Sequence, residues 1–152
     1  MRSDVILVRA GDSRYEELLG QIRTDQLLLA QMWADAEHRL DERPDKVWSV
    51  AIVHDGRGWV PAAWAAAVAE ADVLRCSDNY ERHGYRGRDL YAAAYAHRHA
   101  TVVQPSGLPG ETYLFAQPIP LHEADGWHRT GLSGVSVEAA EPHQWWQLRR
   151  AA

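Results

Sequence analysis

The chain's clearest chemical pattern is GYRGRDLYAAAYAHRHA, residues Gly84 to Ala100. A glycine-containing turn opening onto a helix presents unpaired backbone N–H groups and a positive dipole end, a common way to hold a phosphate. The amides from Gly87 to Tyr91 would do the holding, with Arg86 and Arg88 adding charge-assisted bonds. Two positions where such a turn most needs glycine carry Asp89 and Tyr91 instead. Asp89 admits two readings. It is either a carboxylate set against a phosphate, turned aside or paired with Arg86 or Arg88, or a plain helix cap. Tyr91 would either crowd the loop or point back into the core.

Other chemistry-bearing residues are weaker. His97 and His99 stand two apart, do not share a helix face, and give no metal pair. Cys76 has no activating base near it in sequence, which argues against a covalent nucleophile. As the chain's one cysteine it excludes an internal disulfide.

The elements around this loop follow from periodicity. DVILVRAG reads as a first strand ended by Gly11. SRYEELLGQI, with Ser13 and Glu16 at capping-box spacing, reads as a helix with Tyr15, Leu18, Leu19 and Ile22 on one face. A second helix is expected in TDQLLLAQMWADAEHRL, with Leu29, Met32, Trp33, Ala36 and Leu40 along one side, stopped by Pro44. KVWSVAIVHDGRGWVPAAWAAAV reads as a hairpin turning at Asp55-Gly56. ADVLRC is a short strand, and SDNYERHGYRG a long polar loop. A helix follows from Arg88 to about Thr101, facing the core through Leu90, Ala93, Ala94 and His97. QPSGLPG is a loop, ETYLFAQPI a strand, PLHEADGW a short helix or turn, and GVSVEAAEPHQWWQLRR one or two closing strands. Mixed order of this kind predicts an α/β (α+β) protein, one domain over residues 1–152, with a central sheet flanked by helices.

At 152 residues, 46% hydrophobic and 24% charged, the composition is that of an ordinary globular protein. The longest apolar stretch, Trp59 to Ala69, is too short to span a bilayer and is broken by Pro61, so no membrane is expected. The first residues lack the pattern of a secretory signal, which makes the expected location cytoplasmic. A net charge of -5 argues against nucleic acid and favours a cationic substrate. Of the seven tryptophans, Trp33, Trp48 and Trp64 read as core, and Trp127, Trp145 and Trp146 as neighbours of the site.

Two stretches, in this order, resemble the GNAT superfamily of N-acetyltransferases. YRGRDLYAAAY resembles the family's acetyl-CoA segment, Arg/Gln-x-x-Gly-x-Gly/Ala at a strand–loop–helix junction, with Asp89 and Tyr91 at its small-residue positions. LHEADGWHRTG resembles the C-terminal element in which a Tyr precedes Gly-Phe by four residues. His122 stands at the Tyr position and Gly126-Trp127 replaces Gly-Phe. HQWWQLRR is similar to the family's last, aromatic strand.

The resemblance implies a GNAT-like mixed sheet and an acyl-CoA-dependent N-acyltransferase, with acetyl-CoA as donor and a small-molecule amine as acceptor, acting by direct transfer in a ternary complex. It implies donor binding by Leu74, Cys76, Arg86, Gly87, Arg88, Asp89, Leu90 and Tyr91, with Leu74 and Cys76 offering backbone groups to the pantetheine arm. The family's catalytic Glu falls on Asp72, with Glu70 the near alternative; both also read as water-facing strand-end carboxylates. His122 stands where the family keeps its acid, and an imidazole can donate a proton near neutral pH. It reads equally as a solvent-facing turn residue. Relatives are commonly homodimers, with the tryptophan-rich last strand as the expected contact. Against this stands a second reading: a protein of the same fold that has lost CoA binding, serving as a ligand-binding or regulatory protein or drawing on a carrier-protein thioester.

Overall fold

A computed structural model of the chain describes residues 2–30, 43–138 and 141–152. The strand β1 (Arg2–Arg9) is followed by the helix α1 (Glu16–Ala30), then by β2 (Val47–His54), β3 (Trp59–Glu70) and β4 (Val73–Glu81). The helix α2 (Leu90–Arg98) runs on through a π-helical turn, His99–Val103, into α3 (Gln104–Ser106). β5 (Gly110–Phe115), α4 (Ile119–Ala124), β6 (His128–Glu138) and β7 (Glu141–Arg150) complete it. One seven-stranded sheet runs in the order β1-β2-β3-β4-β5-β7-β6. Every pairing in it is antiparallel except β4 with β5.

The central strand β3 is rich in alanine, a poor strand former in isolation. Burial on both faces explains it, because small side chains let a helix close on either side. On one face α1 places Leu18, Leu19 and Ile22 against Val8, Trp48, Val50, Ile52 and Trp64. On the other, α2 places Leu90 and Ala94 against Ala51, Val53, Ala62 and Ala63. Trp48 and Trp64 are 2% and 0% exposed, as the sequence predicts for core. Pro61 is tolerated because the β2–β3 register shifts beside it, between Ala51 and Ile52.

Several elements differ from the reading above. α1 runs unbroken through Thr24, whose hydroxyl donates back to the Gly20 carbonyl at 3.0 Å instead of capping a new helix. Met32, Trp33, Ala36 and Leu40 lie outside the described residues, as does the side chain of Leu29. β4 continues through Ser77–Glu81, a stretch that reads as loop from its polar composition; a bulge and a free strand edge make those residues useful there. On α2 the buried face is Leu90, Ala94, Tyr95 and Arg98, while Ala93 faces water. His97 turns to Ser49, its Nδ1 2.8 Å from the hydroxyl. Among the described residues no helix is long and apolar enough to cross a membrane.

Candidate functional site

β4 and β5 pair over three positions only: Leu74 with Gly110, Arg75 with Glu111 and Cys76 with Thr112. Beyond Cys76 the two strands part. β4 stays paired with β3, through a bulge, as far as Glu81, while β5 pairs with β7 on its other side. The β4 stretch from Asn79 to Glu81 therefore faces a cleft. Its walls are Asn79, Tyr80 and Glu81, the Gly87–Asp89 loop, Tyr91 and Ala92 of α2, and Gln117, Pro118 and Leu121 at α4, around about 280 Å³.

The loop turns through left-handed backbone. Gly87 holds φ +79° and Asp89 φ +58° with ψ 18°, so Asp89 adopts the left-handed conformation for which glycine is preferred. Asp89 makes no side-chain capping bond, which removes the plain cap reading and leaves the helix's first amides unclaimed by it. Arg86 and Arg88 are exposed on the same turn, the latter 6.0 Å from the Tyr85 ring. The start of the turn is fixed: Arg82 bonds Asp25 of α1 at 2.8 Å through its side chain and the Ala62 carbonyl at 2.8 Å through its amide.

Where the strands part, β4 bulges. Trp64 pairs with Tyr80 and Ala66 with Ser77, so Asp78 and Asn79 together oppose Ala65. Asp78 has φ +53°, and its carboxylate, 8% exposed, pairs with the buried Lys46 ammonium beside the Gln26 side chain. Burial pushes the Asp78 carboxyl up, against the pull of Lys46. Behind the bulge lies Arg98, 1% exposed. Its guanidinium donates to the carbonyls of Ala66 at 3.0 Å and Ser77 at 3.5 Å, and to His122 Nε2 at 3.2 Å.

That last contact fixes His122. Nε2 faces an obligate donor and accepts; Nδ1 donates to the Pro118 carbonyl at 2.9 Å. The ring is fully buried between Tyr95 and Trp127, and burial followed by the Arg98 charge pushes its pKa down to about 3. His122 is therefore neither a solvent-facing turn residue nor a group with a proton to give near neutral pH.

The other predicted residues separate into two sets. Arg86, Gly87, Arg88, Asp89, Leu90 and Tyr91 come together at the cleft mouth, though Leu90 itself points into the core. Leu74 and Cys76 lie in the paired stretch. The Leu74 amide donates to the Pro109 carbonyl at 2.8 Å, and the Cys76 carbonyl accepts from Thr112 at 2.8 Å, so these backbone groups are taken. Burial also pushes the Cys76 thiol up, away from nucleophilic use. Asp72 is exposed in the β3–β4 turn, roughly 20 Å along the strand from the bulge. Glu70 is bound to Arg75 at 3.3 Å and Arg43 at 3.6 Å at the same far end. Trp127, 3% exposed, packs in the core against His122 instead of lining a pocket. Sequence reasoning missed Asp78 and Asn79. The signal was there, since an acid and an amide two residues beyond a short strand fit a bulge as well as a loop.

No protein-family model matches the chain, and no curated protein sequence does. Solved structures do. Escherichia coli ElaA is similar at TM-score 0.72 and 13% identity over 98% of this chain and 99% of that one. An acyl-CoA N-acyltransferase from Pseudomonas aeruginosa is similar at TM-score 0.62 and 18% identity over 99% and 100%. The CoA-dependent acyl-homoserine lactone synthase BjaI, solved with SAM and isopentyl-CoA, is similar at TM-score 0.66 and 12% identity over 97% and 83%. The mixed seven-stranded sheet, parted at its one parallel pair beside a helix N-terminus, is thus the GNAT fold, carried over nearly the whole of this chain.

Proposed function

We propose that the protein transfers an acyl group from an acyl-CoA thioester to the amine of a small molecule, with both bound at once. The observation that carries this is the end of the β4–β5 ladder at Cys76 and Thr112, which leaves a strand edge free beside the first turn of α2. The amides of Leu90, Tyr91 and Ala92 are available to a pyrophosphate, with Arg86 and Arg88 adding charge. The edge from Asn79 to Glu81 can bond the pantetheine arm as an added strand would.

Asp78 sits where the strands part and serves as the base. Its carboxylate takes the proton of the acceptor ammonium. The freed amine then attacks the thioester carbonyl, the C–N bond forms, the C–S bond breaks, and the surplus proton on the nitrogen passes to the departing CoA sulfur, which leaves as the thiol. A carboxyl pushed up by burial is better matched to this task than an exposed one. It replaces Asp72 and Glu70, which stand at the wrong end of the strand.

Calorimetric titration with acetyl-CoA, CoA and pantetheine tests the reading. Binding of the first two that is lost with pantetheine supports a working phosphate cradle. No binding by the folded protein sinks it. That outcome would leave the second reading, a ligand-binding protein or one using a carrier-bound thioester, which the Asp89 carboxylate at the cradle favours.

A further inference from the structure

The geometry points to Tyr91 as a donor gate: its side chain crosses the cleft to β4 and must swing away before a thioester arm can lie on that strand. Resting on the acyl-CoA reading, the inference concerns what opens that site. Tyr91 is the second residue of α2, and its hydroxyl crosses to β4 and donates to Asn79 Oδ1 at 2.9 Å. Asn79 is a bulge residue on the free edge, so the bond spans the gap between the two elements that would grip a donor. The space beside it is about 280 Å³.

The closed form is held by one bond and by packing. Burial pushes the Tyr91 hydroxyl pKa up, so it remains a donor throughout the physiological range. Its ring packs on the edge of the cluster formed by Leu90, Ala94 and the alanines of β3. A small residue here would leave the path open, whereas tyrosine makes open-state population a factor in apparent affinity. The gate therefore lowers affinity for every donor alike, and its release is a property of the protein and not of the acyl group.

The test is calorimetry with CoA on the wild type, Tyr91→Phe, Asn79→Ala and the double variant. Tyr91→Phe keeps the ring and its packing and removes only the crossing bond. Each single variant should bind CoA about 2- to 10-fold tighter, the share set by one net hydrogen bond, and the double variant no tighter than either. Tyr91→Ala should bind more tightly than Tyr91→Phe, because the ring leaves as well. CoA binding equal to or weaker than wild type in Tyr91→Phe and Tyr91→Ala, in proteins that remain folded at the assay temperature, overturns the gate while leaving the acyl-CoA reading intact. Absence of CoA binding in all of them, Tyr91→Ala included, overturns both, since an opened cleft would then still hold no donor.

Discussion

His122 ties the packing of α4 to pH, and the effect can be worked out. The ring is neutral in the folded protein, with a pKa pushed down to about 3, and returns to about 6.5 when the chain unfolds. Between those values the unfolded chain binds a proton that the folded one does not, so stability falls as pH drops below 6.5. Each pH unit in that window is worth about 1.4 kcal/mol, giving a loss of about 2 kcal/mol at pH 5 relative to pH 7.5. Other groups titrate too, so the measurement is a difference. Wild type and His122→Gln, which keeps an acceptor for Arg98, are unfolded in urea at pH 7.5, 6.5, 5.5 and 5.0, with tryptophan fluorescence as signal. The stability advantage of wild type over the variant should shrink by about 2 kcal/mol across the series. A difference that stays flat would refute the buried, neutral His122 and return it to candidacy as the acid.

Two more expectations follow from contacts. Gly110 faces Trp127 so closely that an added Cβ would stand 2.5 Å from the indole, which His122 backs. Gly110→Ala should lower Tm by roughly 3–10 °C, corresponding to about 1–3 kcal/mol of overpacking, in a thermal melt. Asp78→Asn strands the Lys46 ammonium and should cost about 3–5 kcal/mol of stability, which Lys46→Met in the same chain should restore. Turnover should remain down by about 10²- to 10⁴-fold in the restored protein, read with any amine the wild type acetylates. Full turnover there would remove Asp78 as base.

Much of the architecture was legible in the sequence because periodicity reports burial directly. β1, the Asp55-Gly56 hairpin and α2 all carry their period on the surface of the sequence, and the loop from Arg86 to Asp89 carries its turn in its composition. The cleft was legible by its mouth alone. Its floor, Asn79 to Glu81, is polar because it borders a gap, and polarity in a single sequence looks the same in a loop. The roles of Asp78 and His122 depend on partners far along the chain: Lys46 for one, Arg98 for the other. Neither distance nor tautomer has a local signature. Glu70 and Asp72 misled because their alternation fits a strand face, while nothing local says which end of β4 opens.

Cys76, the chain's one cysteine, lies in the last rung of the short parallel seam, buried at 2% exposure. A thiol reagent can reach it only when the core around it, Val103 and Ile119 among its members, separates from the strand, since burial keeps it protonated and covered. The protein thus carries its own clock for that separation. The labelling rate of one sulfur counts how often that packing opens, with no residue replaced.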